Sequence, residues 1–217
     1  MSFSEKILLY LLVLFVFVIS NVSNTYAFEG HITFVQSTGY DTLWLKYSIK
    51  GDKIKISKYD RDNNLIQCLL VDISEEQVTA IDYQQKLYRP LDLEQADQTK
   101  KEKKYTILQT DNFREVNGVK CYQWRVRNRE SNSEIAYWVT RTNFDFFHDL
   151  IRLLERSNKI YHFFSQIPAN DGYFPMLAVE RSLLRRERQR IAVTEIKHES
   201  LQDELFEIPK DCSLVKR

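Results

Sequence analysis

A chain of 217 residues with 31 basic and 30 acidic side chains has a formal net charge of +1. This balance argues against a nucleic-acid partner, because affinity for phosphate backbones comes mainly from clustered Lys and Arg. Three cysteines allow at most one disulfide bridge, which excludes a disulfide-stapled scaffold but leaves a Cys121–Cys212 pair open.

The first 27 residues predict export from the cytoplasm. The apolar run Ile7–Ile19 follows Lys6 and precedes Thr25-Tyr26-Ala27, which has the small residues at −3 and −1 that signal peptidase requires. A membrane-spanning helix needs about 20 apolar residues, and this run has 13. A cleaved signal peptide is therefore favoured over an uncleaved anchor. We predict a signal peptide over residues 1–27, one domain over residues 28–217, no stable transmembrane anchor, and a periplasmic or secreted location.

Cleavage after Ala27 makes Phe28 the N-terminus of the exported protein. Intact-mass measurement of the secreted chain should give the mass of residues 28–217. A secreted product that retains residues 1–27 contradicts this prediction.

Apolar residues recur with a period of two through most of the remaining chain. Residues 43–50 and 53–59 each have one apolar face and flank the turn Gly51-Asp52, which predicts a β-hairpin. Further short strands are predicted at Leu65–Val71, Gln77–Tyr83, Lys86–Leu91, Tyr105–Gln109, Lys120–Arg127 and Glu134–Thr140. Because short turns join most successive strands, they should pair antiparallel in a sheet that curls around its apolar face. The segment Asp92–Lys104 has no apolar period and is predicted to be an exposed loop.

The period changes to that of a helix after residue 142. Apolar residues then recur at spacings of three and four: Phe144, Phe147, Ile151 and Leu154. Thr142 is placed to cap this helix, and a second helical piece is predicted over Lys159–Gln166. The helical insertion therefore covers about residues 143–166. A last hairpin, Met176–Ser182 with Arg190–Glu199, closes the domain.

Several short motifs occur in a characteristic order. They are Phe28-Glu29-Gly30-His31-Ile32-Thr33, Ile49-Lys50-Gly51-Asp52-Lys53-Ile54, Val116-Asn117-Gly118-Val119-Lys120-Cys121-Tyr122-Gln123-Trp124, Phe174-Pro175-Met176, Val193-Thr194-Glu195-Ile196 and Leu205-Phe206-Glu207-Ile208-Pro209. Their order resembles a family of exported bacterial domains of unknown function, and the last three resemble the closing signature of lipoprotein carrier (LolA/LolB-like) domains. The resemblance implies a mainly β (α+β) fold, a curved antiparallel half-barrel sheet with a helical insertion over its concave face. In the carriers this fold shelters acyl chains.

Sequence motifs for catalysis or metal binding are missing. The four histidines are scattered, and neither His-Glu-x-x-His nor Cys-x-x-Cys spacing occurs. No Gly-x-Ser-x-Gly or phosphate-binding glycine loop is present. Nothing near Cys121 in sequence lowers the pKa of a thiol. We therefore predict a protein that is not an enzyme and has no catalytic residue, metal site or cofactor.

An apolar wall and a helical lid are the candidate binding site. Alternation and helical spacing place these residues in it: Leu45, Tyr47, Ile49, Ile54, Ile56, Tyr122, Trp124, Val126, Phe147, Ile151 and Leu154. A curved sheet closed by helices has room for a packed core or for an apolar cavity, and the sequence leaves both open. A cavity indicates a lipid, an acyl chain or a lipidated protein as the partner. A packed core indicates an interaction module that binds another envelope protein and no small ligand.

The run Arg181–Arg190 holds five arginines and one acid, Glu187. Such a run suits an anionic lipid headgroup, a lipopolysaccharide phosphate or an acidic partner. Charge runs are usually solvated, however, so the sequence favours a hairpin tip in water.

Overall fold

The computed structural model describes residues 28–91, 104–142 and 144–215. The predicted signal peptide and nearly all of the predicted loop 92–104 lie outside the described residues. The strands are β1 Glu29–Thr38, β2 Thr42–Lys50, β3 Lys53–Tyr59, β4 Leu65–Asp72, β5 Gln77–Asp82, β6 Leu87–Leu91, β7 Tyr105–Val116, β8 Val119–Asn128, β9 Ser133–Arg141, β10 Tyr173–Arg181, β11 Glu187–His198 and β12 Ser213–Leu214. The helices are α1 Phe146–Leu154, α2 Lys159–Ser165 and a short 3-10 turn, Asp203–Phe206. None of these helices is long and apolar enough to cross a bilayer.

The strands form one curved, open sheet in the order β12-β6-β5-β4-β3-β2-β1-β11-β10-β9-β8-β7. Neighbouring strands are antiparallel, apart from the short parallel pair β12–β6. Two meanders, β1–β6 and β7–β11, are joined where β1 pairs with β11. The predicted fold class, a mainly β curved antiparallel sheet with a helical insertion, is confirmed.

Helix α1 begins later than predicted. Its first residue is Phe146 and its N-cap is Asp145, whereas Thr142 was predicted to cap it. The backbone N–H of Thr142 donates to the carbonyl oxygen of Gly172 at 2.9 Å, so Thr142 continues the β9–β10 ladder. A residue held in the sheet cannot also begin the helix. The helical periodicity itself is confirmed, since the buried face of α1 consists of Phe146, Phe147, Leu150, Ile151, Leu153 and Leu154.

Buried tyrosines hold the helices against the sheet. The Tyr137 hydroxyl on β9 donates to the carbonyl oxygen of Ile160 at 2.6 Å, and the hydroxyls of Tyr47 and Tyr161 are hydrogen-bonded to each other. Burial raises the pKa of Tyr47 to about 12, so this pair stays neutral at physiological pH. The N-cap Asn158 accepts a hydrogen bond from the backbone N–H of Ile160 at 2.9 Å. Helix α2 is therefore fixed to both meanders.

All three cysteines are free thiols, so the Cys121–Cys212 bridge that the sequence left open is absent. Cys121 is buried in the main core, where burial raises the pKa of its thiol to about 11. Cys212 packs against a separate small cluster that contains Cys68. The two candidate partners lie in different clusters, and Cys68 is a small buried hydrophobe.

Candidate functional site

An open groove of about 1370 Å³ lies on the concave face over strands β2–β6. Its floor is formed by side chains from these strands: Leu45, Tyr47, Ile56, Leu69, Val78 and Leu91. One wall is formed where α1 ends and α2 begins, with Leu153, Leu154 and Tyr161. The groove is larger than the roughly 300–1,000 Å³ of pockets that take drug-sized ligands.

The groove exists because the helices are too short to cover the sheet. Twelve strands at about 4.8 Å spacing make a sheet roughly 50 Å across. Helix α1 has nine residues and extends about 14 Å. The helices lie over the β8–β10 part of the concave face, where α1 packs on Phe174 of β10 and α2 on Tyr137 of β9. The β2–β6 part is left open beside them.

Basic side chains dominate the rim of the groove. The charged residues that line it are Lys58, Glu76, Arg89, Arg152, Glu155, Arg156 and Lys159. Arg152 forms an ion pair with Glu76 at 2.7 Å, which links α1 to the turn between β4 and β5. Within the part of the chain that the structure describes, Lys58, Arg89 and Arg156 have no ion pair. Three cations at the rim are therefore available to an anionic group.

A buried carboxylate holds the remaining cation of the rim. Glu180 of β10 accepts hydrogen bonds from Lys159 Nζ at 2.7 Å and from Ser133 Oγ at 2.9 Å, and Arg188 lies 3.5 Å away. Burial alone would raise the pKa of this carboxyl. The bonds from Lys159 and Ser133 and the charge of Arg188 outweigh burial, and the pKa of Glu180 falls below its ordinary value.

Glu180 makes folding stability depend on pH. Because its pKa is lower in the folded than in the unfolded chain, its interactions stabilise the fold above the ordinary value of 4.5, and this stability is lost as pH falls through the folded-state pKa. Glu180→Gln should lower the free energy of unfolding by about 1–3 kcal/mol at neutral pH and flatten its decline in acid. Urea titrations from pH 7 to pH 3 measure both effects. Glu195→Gln, at an exposed carboxylate of β11, is the control and should match the parent; equal loss in both variants contradicts the assignment.

The structure divides the predicted wall and lid among four places. Those that line the groove are Leu45, Tyr47, Ile56 and Leu154. Those in the packed core are Ile49, Ile54, Trp124 and Val126, all at most 6% exposed. Phe147 and Ile151 lie on the buried face of α1 and line a smaller hollow of about 370 Å³ beside the helices. Tyr122 lies on the same face of β8 as Trp124 but is 36% exposed.

The predicted wall combines residues of β8 with residues of the β2–β3 hairpin, but these strands are not neighbours in the sheet. Strands β1, β11, β10 and β9 lie between them, because the two meanders are joined through β1 and β11. Trp124 and Val126 therefore lie on the part of the sheet that the helices cover. The ring centroid of Trp124 is 4.6 Å from that of Tyr173. The question of packed core or cavity thus has a divided answer. The concave face is packed over β8–β10 and at Ile49 and Ile54, and it is an open groove over the remainder of β2–β6.

Sequence analysis missed several residues of the groove. Leu69, Val78 and Leu91 lie on its floor, and Tyr161 lies in its wall. The strand that carries Leu69 is apolar on both faces, because Cys68 and Leu70 belong to a second cluster on the opposite face. Alternation in such a strand does not show which face is concave. The helical spacing in α2 could have indicated that Tyr161 is buried. It could not indicate that its hydroxyl bonds to Tyr47, which is 114 residues away in sequence.

The described residues contain no group of three or more His, Cys, Asp or Glu side chains placed to hold a metal ion. The site therefore consists of an apolar floor and a charged rim. Such a surface can bind and shelter an apolar or amphipathic molecule.

Residues 28–212 match the family model named Domain of unknown function (DUF4412), and the chain belongs to this family. The resemblance to a family of domains of unknown function is thereby confirmed. No curated protein matches the sequence.

Solved structures with a similar fold share little sequence with this chain. An uncharacterized conserved protein from Thermus thermophilus is 10% identical with a TM-score of 0.50, over 87% of this chain and 91% of that one. MucB, in the Pseudomonas aeruginosa MucA/MucB complex, is 11% identical with a TM-score of 0.48, over 86% of this chain and 58% of that one. A Vibrio parahaemolyticus domain described as an outer membrane lipoprotein-sorting protein is 9% identical with a TM-score of 0.31, over 82% and 87%. The first likeness shows the fold alone, and the other two bear on neither ligand nor partner.

Proposed function

We propose that this member of the DUF4412 family is a non-enzymatic, exported binding protein that holds an apolar ligand in the groove over β2–β6. The observation that carries the proposal is the groove itself, about 1370 Å³ of open volume above an apolar floor. An acyl chain, a lipid or the lipid of a lipoprotein fits such a floor. The predicted signal peptide supports a periplasmic or secreted location for this binding.

The basic rim of the groove indicates which kind of head group the ligand carries. Lys58, Arg89 and Arg156 surround an apolar floor, so a ligand with an acyl chain and an anionic head matches both parts of the site. Burial of each methylene contributes about 0.8 kcal/mol, and ten methylenes correspond to roughly micromolar affinity or tighter.

The alternative function is an envelope interaction module that binds another protein and no small ligand. The observation in its favour is the packed half of the domain, where Val126, Ile135 and Tyr137 are fully buried. An open groove with an apolar floor also accepts the apolar face of an amphipathic helix.

A matched pair of variants distinguishes the groove from the packed half. Leu69→Trp places an indole in the groove and should weaken binding of a fluorescent fatty acid by roughly thirtyfold, because it displaces two or three methylenes. Its melting temperature should stay close to that of the parent, since Leu69 is only half-buried. Val126→Phe should behave in the opposite way. It overpacks a site with 0% exposure and should cost about 1–3 kcal/mol of stability while leaving fatty-acid affinity unchanged.

Fluorescence titration gives the affinities and thermal melts give the stabilities. A parent protein that binds no fatty acid at micromolar concentrations contradicts the proposal. So does an affinity that Val126→Phe lowers as much as Leu69→Trp does.

A further inference from the structure

The turn between β10 and β11 exposes two leucines. Leu184 has 90% of its surface exposed and Leu183 has 38%. The turn is closed by the backbone, where the N–H of Ser182 donates to Arg186 O at 2.9 Å and the N–H of Arg185 donates to Ser182 O at 2.8 Å. Isolated exposed leucines are common, but here two adjacent leucines occupy the end of an ordered hairpin. We call residues 182–186 the hairpin tip.

Two arginines next to these leucines lack acidic partners. Three of the five arginines in this region bind a carboxylate: Arg181 to Glu187, Arg188 to Glu180 and Arg190 to Glu187. Arg185 and Arg186 form no ion pair with any residue that the structure describes. The hairpin tip therefore combines exposed apolar surface with uncompensated positive charge.

An exposed aromatic ring lies at the same end of the sheet as the hairpin tip. Thr38 of β1 is opposite Gln189 of β11, which places the β1–β2 turn beside the hairpin tip. Tyr40 in that turn is 92% exposed. Tyrosine is enriched at membrane interfaces, where its ring meets acyl chains and its hydroxyl meets water. Gln189 also lines the groove, so these turns lie at one end of the groove.

We propose that the hairpin tip docks the protein on the surface of an anionic lipid bilayer, with Tyr40 as a second contact. Leu183 and Leu184 enter the boundary between headgroups and acyl chains, and the guanidinium groups of Arg185 and Arg186 bind lipid phosphates. The arginine run alone favoured a solvated tip, and the exposed leucines change that interpretation. Docking in this way brings one end of the groove to the bilayer surface and does not depend on what the groove holds.

Sedimentation with vesicles of phosphatidylethanolamine and phosphatidylglycerol tests the proposal on protein purified from the periplasm of an expressing host. The variant R185E/R186E should weaken binding by roughly thirtyfold or more, because each basic residue near an anionic surface contributes about 1 kcal/mol. L183S/L184S should weaken binding by about tenfold or more through the loss of buried apolar surface. Both variants should keep the melting temperature and the fatty-acid affinity of the parent.

Two controls match these changes elsewhere on the surface. K53E/K210E makes the same change in net charge at exposed lysines, and F113S removes an exposed ring from β7. Both should bind vesicles as the parent does, and vesicles of phosphatidylcholine alone should bind the parent weakly. Equal weakening by R185E/R186E and K53E/K210E overturns the proposal, because it means that net charge alone drives binding. Failure of the parent to sediment, or capture of an acidic peptide in place of vesicles, overturns it as well.

Discussion

Ile151→Asp should destabilise the domain by about 3–5 kcal/mol and lower its melting temperature by roughly 10 °C. Ile151 lies on the buried face of α1 and is 4% exposed. A carboxylate at this position has no hydrogen-bonding partner among the apolar side chains of the core, so it must lose hydration or force α1 away from the sheet. Thermal melts and urea titrations measure the loss.

The same substitution at an exposed isoleucine is the control. Ile66 of β4 is 50% exposed, and Ile66→Asp should cost at most about 1 kcal/mol, from strand propensity alone. If the two variants melt at the same temperature, α1 does not pack on the sheet as described. The comparison separates burial from the general effect of adding a negative charge.

Phe174→Ala should cost about 3–5 kcal/mol, because it leaves a cavity at the centre of an aromatic cluster. Phe174 is 1% exposed, and its ring centroid lies 4.6 Å from that of Phe147 and 5.0 Å from that of Phe144. It thus connects strand β10 to the helical insertion. The free energy of unfolding from urea titration is the measurement.

Phe113→Ala is the matched control for this truncation. Phe113 is 62% exposed on β7, and the ammonium of Lys120 lies over its ring, 4.4 Å from the centroid. Losing that contact should cost about 1 kcal/mol or less. A Phe174→Ala variant that is as stable as Phe113→Ala would show that the β8–β10 half is not close-packed.

Local periodicity carries most of the fold in the sequence. The alternation of Tyr47 and Ile49 with polar residues predicts the β2–β3 hairpin, and in the structure these residues lie opposite Ile56 and Ile54. The spacing of three and four predicts the buried face of α1. Both patterns depend only on residues close together in the chain, so they can be recognised without tertiary structure.

The division of the concave face depends on contacts between distant residues. The pairing of β1 with β11 joins Ile32 to Ile196, 164 residues apart in sequence, and no local pattern records it. That pairing separates Trp124 and Val126 from the hairpin, and places them in the packed core instead of the groove. The start of α1 was mispredicted for the same reason, since Thr142 bonds to Gly172 across the sheet.

The basic rim of the groove also could not be predicted from local sequence patterns. Lys58 of β3, Arg89 of β6 and Arg156 after α1 come from three separate parts of the sequence, and each is ordinary among its own neighbours. Only the curvature of the sheet and the position of the helices bring them around one groove. A sequence can therefore predict the apolar faces, while the chemistry at the edge of the site emerges from the fold.

Native mass spectrometry of the protein purified from its native host, followed by lipid extraction, tests the central claim most directly. The groove predicts a stoichiometric adduct, with an acyl chain and an anionic head, that is released on unfolding and is depleted in Leu69→Trp. Val126→Phe should retain the adduct. A protein that carries no lipid and takes up none when incubated with fatty acid or phosphatidylglycerol would contradict the claim that the groove holds an apolar ligand.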